Sequence, residues 1–131
     1  MGEIRDTAIV DALRRQMSIA AAKQVVAAGN LANVNTPGYR ARAVDFTAAL
    51  EQQLGGSISL AGTSESHLQG RVSEAVGTEE VEGLPMRRDG NNVQIDRELI
   101  SMNRAASDFA AAQTVLAAKF RLVRYAINEG H

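Results

Sequence analysis

The feature that most constrains the fold is a proline–glycine pair, Pro37 and Gly38, which follows a long helical pattern. Pro37 lacks a backbone N–H and disfavours the α conformation in the residue before it, so the helix must end by about Asn35. Gly38 suits the second central position of a type II turn, where φ is positive. Because no residue from Gln24 to Tyr39 is charged, we predict that this helix end is enclosed by other protein.

The pattern before the turn predicts an N-terminal helix over 6–35. Its apolar residues recur at alternating intervals of three and four, the spacing of a heptad seam, with one polar interruption at Gln24. The positions of this seam are Val10, Leu13, Met17, Ala20, Gln24, Ala27 and Leu31, followed by Val34. The second half of the helix is apolar on almost every side, which is typical of a helix that is buried on every side.

The end of the chain predicts a C-terminal helix over 96–128, with Asp96 as its N-cap and Glu98 in its first turn. Its apolar residues form a second heptad seam, again with a single glutamine. The positions of this seam are Ile95, Leu99, Met102, Ala106, Phe109, Gln113, Leu116, Phe120, Val123 and Ile127.

Two seams in one chain predict a mainly α fold, in which the terminal helices pack as an antiparallel coiled-coil-like pair. A register that places Gln24 opposite Gln113 brings the two polar interruptions together, so that each buried amide satisfies the other. The same register places Leu31 against Ala106 and Met17 against Phe120. The alternative for both seams is a helical hairpin complete within one small bundle.

The 131 residues predict a single domain over 1–131, with a turn and an irregular middle over 36–95 between the helices. Asp45 is a candidate N-cap for a short helix, Phe46–Leu54. Residues near Ile58 form either a brief strand or an extended loop. Further along, Met86–Ile95 predicts a small hairpin about the turn residues that follow Arg88.

Composition excludes several classes of function. The net charge is −1, with 14 basic and 15 acidic residues, so neither nucleic acid nor a membrane surface is implied as a partner. The chain has no cysteine, which excludes disulfides and thiolate metal sites. No apolar run approaches the roughly 20 residues that span a bilayer. The first residues do not resemble a secretory signal peptide, so we expect any export to proceed without a cleavable signal.

No catalytic or metal-binding pattern stands out. His67 has no carboxylate–histidine cluster around it in sequence, so an ordinary loop histidine is the simpler interpretation. The run Asp89-Gly90-Asn91 superficially suggests a calcium loop, but its glycine is at the second position rather than the sixth. Without a nucleophile–base arrangement, a phosphate loop or paired carboxylates, we expect a protein that is not an enzyme and holds no cofactor or metal.

The turn and its flanks resemble a known family. The run Asn30 to Tyr39, which reads N-L-A-N-V-N-T-P-G-Y, resembles the signature of the flagellar rod and hook proteins, the axial proteins of the bacterial flagellum. Further similarity follows at Ala41–Phe46, Arg88–Val93 and Leu116–Ile127, and covers nearly the whole chain. The length and the C-terminal half are similar to those of the short proximal rod proteins, with the short rod protein FlgC as an alternative.

The resemblance implies a structural subunit of the proximal rod of the basal body, in the periplasmic space, exported by the flagellar type III apparatus. Such subunits assemble helically through their terminal helices, transmit torque and line the export channel. The implied partners are other copies of the chain, FliE, FlgC and other rod proteins, the membrane-ring protein FliF and the export apparatus. The implied subunit contacts are the signature residues Asn30, Leu31, Ala32, Asn33, Asn35, Thr36, Pro37, Gly38 and Tyr39.

A hypothesis from another class stays open beside this one. Apolar helices of this kind also suit a soluble helical adaptor or export chaperone, which binds a partner helix in a groove. That hypothesis predicts a discrete, fully folded dimer or complex. A rod subunit instead predicts a chain whose apolar helices are completed only in an assembly.

Overall fold

The computed structural model describes residues 2–47 and 77–129. Their element order is α1 (Gly2–Ala32), β1 (Arg42–Val44), β2 (Thr78–Glu80) and α2 (Ile95–Asn128). The two long helices pack against each other, and the middle of the chain adds a small antiparallel strand pair. The mainly α fold predicted from the two seams is therefore confirmed. No helix in the described ranges has the length and apolar character needed to cross a membrane.

The helices run antiparallel, but in a different register from the predicted one. Near the start of α1, Asp6 accepts a 2.6 Å hydrogen bond from Lys119 Nζ, near the end of α2. Further along α1, Lys23 and Ala27 line a cleft together with Ala105 of α2. The register that pairs Gln24 with Gln113 would have placed Asp6 beyond the end of α2, so the two helices are displaced along each other relative to that prediction.

Small side chains form the contact between the helices. The buried alanines of the facing surfaces are Ala20 and Ala27, seven residues apart on α1, and Ala105 and Ala112, seven apart on α2. Ala22 is also buried, but it lies about 200° around α1 from Ala20 and so is not on that face. Side-chain size at the contact sets how closely two helix axes approach, and alanine allows a close approach. The core of this pair is therefore narrow, and larger apolar side chains lie at its edges.

On α2 the buried face is turned relative to the predicted seam. Ala105 and Ala112 are buried, together with Glu98, which is 5% exposed. The predicted positions immediately after them (Leu99, Ala106 and Gln113) are exposed, whereas Met102, Phe109 and Leu116 are half-buried. The predicted seam of α2 consists mainly of large apolar residues, whereas the close packing of α1 and α2 buries small ones.

The strand pair joins β1 and β2, and this pairing was not foreseen. Its register places Arg42 opposite Glu80 and Val44 opposite Thr78. The Arg42 guanidinium donates to the hydroxyl and to the carbonyl oxygen of Thr78, both at 3.0 Å. The short strands hold the entrance and exit of the middle segment side by side.

Two predictions of local structure need correction. The helix α2 begins at Ile95 with Gln94 as its N-cap, which makes no side-chain cap bond, so Asp96 is not the N-cap but an acidic residue of the first turn with Glu98. The predicted hairpin at Met86–Ile95 is a turn without strands, closed by an Arg87 N–H bond to the Asn91 carbonyl at 2.9 Å.

The predicted short helix is described only at its start. There the Thr47 N–H donates to the Asp45 carboxylate at 3.0 Å, which is the bond of an N-cap. The rest of Phe46–Leu54, the segment near Ile58 and His67 lie outside the described residues.

Candidate functional site

The signature forms a tight turn at the end of α1. The Thr36 N–H donates to the Asn33 carbonyl at 3.0 Å, and the Tyr39 N–H donates to the Thr36 carbonyl at 3.2 Å. Gly38 has a φ of +73°, which confirms the prediction of a positive φ at that residue. The Asn33 side chain donates to the Gly29 carbonyl at 2.8 Å, so it binds a carbonyl freed at the helix end, as expected of a polar residue there.

Asn30 is the buried polar centre of the turn. Its side chain is 0% exposed, and its Nδ2 donates to the Arg42 carbonyl at 2.8 Å. Its Oδ1 accepts from the Arg42 N–H at 3.0 Å and from the Tyr39 hydroxyl at 3.2 Å. One amide thus holds the chain on both sides of the turn, and a buried amide must be satisfied in this way.

A second buried amide arrives from the far half of the chain. Asn91, also 0% exposed, donates from Nδ2 to the carbonyls of Asn33 at 2.8 Å and Thr36 at 2.9 Å. Its Oδ1 accepts from the Val93 N–H at 2.8 Å. Asn91 therefore gives a second donor to two carbonyls of the turn after α1 and fixes the approach to α2.

Asn92 makes the matching contact on the other side of the turn. Its Oδ1 accepts from the Ala41 N–H at 2.6 Å, and its backbone N–H donates to the Tyr39 carbonyl at 3.3 Å. Ala41 is fully buried and Asn92 is 2% exposed. Consecutive asparagines thus bind two stretches of backbone that lie on either side of Pro37-Gly38.

Charged and backbone contacts complete the arrangement. The Gly38 N–H donates to the Asp89 carbonyl at 2.8 Å. The Arg87 guanidinium donates to the Val34 carbonyl and lies 3.6 Å from the Asp89 carboxylate. We call this set of contacts between Asn30–Ala41 and Arg87–Val93 the joint. It is a polar connection within one chain, and it sets the direction in which the chain leaves α1 and enters α2.

The predicted signature residues divide into two groups in the joint. Asn30 is buried, and Leu31, Asn33 and Tyr39 are half-buried. The exposed group comprises Ala32, Asn35, Thr36, Pro37 and Gly38. The exposed group is the more accessible to another subunit, and a contact by any of the signature residues stays a prediction.

The joint also contains residues that were not singled out as binding residues. In the sequence, Asn91 belongs to a predicted turn, and both Asn91 and Asn92 belong to a segment that resembles the family. The available signal was a polar pair directly before the apolar Val93, since two successive buried asparagines are rare outside a hydrogen-bonded role.

The seam of α1 lies on the protected side of its helix. Ala20 and Ala27 are buried, and Val10, Leu13, Met17, Gln24, Leu31 and Val34 are half-buried. On α2 the last three positions of the predicted seam (Phe120, Val123 and Ile127) are between 45% and 64% exposed. The same end of α2 also exposes Leu122 and Tyr125, so it presents apolar side chains in several directions.

In the described ranges, no group of three or more histidine, aspartate or glutamate side chains lies close enough to hold a metal ion. The segment Asp89-Gly90-Asn91 instead makes an internal turn, in which the Asn91 N–H donates to the Asp89 carboxylate at 3.0 Å. Gly90 has a φ of +84°, as a turn glycine does. The contacts of the joint have a structural role, because they position the two helices.

Comparison with known proteins finds a matching family and several relatives. A family described as "Flagella basal body rod protein" matches residues 12–40, which include the signature and much of α1. The chain is 28% identical over 123 residues to the flagellar basal body rod protein FlgB of Salmonella typhimurium, covering 88% of this chain and 89% of that protein.

Two further relatives extend the comparison. The FlgB of Borrelia hermsii is 28% identical over 130 residues, covering 91% of this chain and 95% of that protein. The FlgB of Escherichia coli is 34% identical over 90 residues, covering 63% of this chain and 65% of that protein. These descriptions name a structural part of the flagellum and not a reaction.

Proposed function

We infer that this chain, which belongs to the family of flagellar basal body rod proteins, builds the rod by helical assembly through its two terminal helices. The family supports a structural role in the basal body. The mode of assembly, the transmission of torque and the lining of an export channel are our proposal.

The observation that carries the proposal is the unburied C-terminal end of α2. Every residue from Phe120 to Glu129 is exposed, and Leu122, Tyr125 and Ile127 are more than 60% exposed. Large apolar side chains gathered in one place mark a surface that another protein covers. Burial of each such side chain is worth about 1.5–3 kcal/mol, which is enough for a few of them to drive association.

The narrow alanine core supports the same conclusion. Alanine side chains bury little area, and an isolated helix pair of this size gains little free energy after the chain entropy of folding is subtracted. Contacts between subunits would supply the missing burial. Repetition of one such contact between unlike surfaces produces an open helical array, which is the geometry that a shaft requires.

The partners follow from the proposed position in the rod. The first are further copies of this chain, followed by FliE, FlgC and other rod proteins, the membrane-ring protein FliF and the export apparatus. The proposed location is the periplasmic section of the basal body.

Complementation tests the proposal. We expect that deletion of the gene abolishes rods in isolated basal bodies and that the wild-type gene restores them. The variant Leu122→Gln/Ile127→Gln should keep the circular dichroism spectrum of the wild type but fail to restore rods. The matched control is Met86→Gln, which changes another exposed apolar residue outside the helices and should restore them.

Two outcomes would contradict the proposal. Normal rods in the deletion strain would exclude a structural role at this position. A purified chain that is a stable, closed, highly helical dimer would instead favour the adaptor or chaperone hypothesis. Size measurement by sedimentation velocity distinguishes such a dimer from a weakly associating subunit.

A further inference from the structure

A basic cleft lies where β1 meets the two helices. It has a volume of about 330 Å³ and is lined by α1, β1 and the first four turns of α2, at the lower end of the ~300–1,000 Å³ range of ligand clefts. Its charged lining residues are Lys23, Arg42, Arg97, Arg104, Glu98 and Asp108. Cations therefore outnumber anions by four to two, although the whole chain carries a net charge of −1.

The cations of α2 are arranged along one side of that helix. Arg97 and Arg104 line the cleft together with Ser101 between them, because residues three and four apart share a helix face. Two residues seven positions apart are separated by roughly 10.5 Å along a helix. Both side chains stay partly accessible, Arg97 being half-buried and Arg104 exposed.

An acidic segment of the same chain carries the charge opposite to that of the cleft. Residues 77–86 contain Glu79, Glu80 and Glu82 and no basic residue, and all three carboxylates belong to exposed residues. Glu80 lies opposite Arg42 in the strand register, and Glu79 and Glu82 lie on either side of it along the chain.

We propose that the basic cleft binds the acidic segment Glu79–Glu82 of a second copy of this chain. Arginine guanidinium groups bind carboxylates with paired, charge-assisted hydrogen bonds. Complementary charge also selects the partner and the register of the contact. The cleft and the segment are different surfaces, so the contact can be heterologous, and it then repeats from subunit to subunit where the rotation between subunits does not close. The inference rests on the proposed rod function and adds a lateral contact to it.

A charge exchange tests this contact in the strain that lacks the gene. The cleft variant is Arg97→Glu/Arg104→Glu, and the segment variant is Glu79→Lys/Glu82→Lys. Each reverses one side of the contact, so we expect each alone to lower the number of rods recovered by at least tenfold. The four substitutions combined in one chain restore opposite charges, and we expect them to return rods to within about threefold of the wild type.

Matched controls separate this effect from a general change of charge. Arg14→Glu/Arg15→Glu and Asp11→Lys/Asp96→Lys make the same charge changes outside the cleft lining, the joint and the exposed end of α2, and we expect both to restore rods. Circular dichroism and thermal unfolding of each purified variant identify any that fail to fold. The combined variant provides an internal check, because rescue requires that both component changes are compatible with the fold.

The outcomes distinguish the two proposals. If the wild-type gene restores rods and both reversed variants restore them equally well, the contact is wrong and the rod function stands. If the cleft variant fails and the combined variant fails with it while folded, the cleft binds a partner other than a second copy, which also overturns the inference. If the wild-type gene is not needed for rods, the proposed function itself is excluded.

Discussion

Gly38 and Gly90 lie back to back at the centre of the joint. Each has a positive φ, +73° and +84° respectively. A β-carbon added to Gly90 would lie 3.4 Å from the Gly38 α-carbon. The two turns that terminate α1 and precede α2 therefore pack directly on each other through residues without side chains.

Alanine at either glycine should destabilise the chain. The left-handed conformation costs an L-residue roughly 1–2 kcal/mol, so we expect Gly38→Ala and Gly90→Ala each to lower the free energy of unfolding by about that amount. The two losses should be similar, because a β-carbon at Gly90 would make only an ordinary van der Waals contact with Gly38. Urea denaturation measures the change.

Gly29 is the control for this pair. It lies inside α1, and an added β-carbon would meet no atom within 4 Å. Because alanine is favoured over glycine in a helix by about 0.5–1 kcal/mol, Gly29→Ala should stabilise the chain. Equal loss of stability at all three glycines would contradict a specific role for the turns.

Replacement of Asn91 should open the joint. Asn91→Ala removes the second donor of the Asn33 and Thr36 carbonyls, which keep their backbone N–H donors, and each lost bond costs about 0.5–1.5 kcal/mol. Asn91→Asp should be at least as damaging, since it places a carboxylate against two carbonyl oxygens. Asn35→Ala, at an exposed asparagine of the same turn, should change the free energy of unfolding by less than about 0.5 kcal/mol.

The Tyr39 hydroxyl and Asn30 should be energetically coupled. Their hydrogen bond is 3.2 Å long, and Tyr39→Phe removes it with little change in volume, at an expected cost of about 0.5–1.5 kcal/mol. In a double-mutant cycle with Asn30→Ala, the two losses should add to more than the loss in the double variant. Strict additivity would show that the bond does not form in solution.

Cross-linking tests the helix register. The native chain has no cysteine, so Asp6→Cys/Lys119→Cys introduces one pair at the observed contact between α1 and α2. We expect a short bismaleimide to link this pair within one chain in preference to Gln24→Cys/Gln113→Cys, the pair that the predicted register brings together. Faster intramolecular linkage of the second pair would support the predicted register instead.

The sequence predicted the type of each long element well, because heptad spacing and a proline–glycine stop are local signals. It did not predict which side chains of α2 are buried, because that depends on how closely the two helices approach each other. The burial of Ala105 rather than Ala106 follows from how tightly the two helices pack, and periodicity does not contain that distance. The prediction of Asp96 as the N-cap was also wrong. The helix begins one residue earlier, at Ile95, and its N-cap is Gln94, whose side chain makes no cap bond.

The joint was foreseen on one side only. Pro37 and Gly38 predict a turn by themselves, but no residue near them in the sequence indicates that Asn91 and Asn92 bind the backbone of that turn. The pairing of β1 with β2 was missed for the same reason, since three-residue strands are too short to show alternation. Contacts between distant segments are set by the tertiary fold, and single-residue preferences do not report them.

The distance along the chain between the two sides of the joint has a consequence for the order of folding. Asn91 reaches Asn33 across 58 residues, and closure of a loop of that length costs about 3–4 kcal/mol in chain entropy. The bonds from Asn91 to the corner after α1 therefore cannot form while only the first half of the chain is present, and contacts of such long range form slowly. The N-terminal half thus gains these contacts last, from residues that leave the ribosome after it.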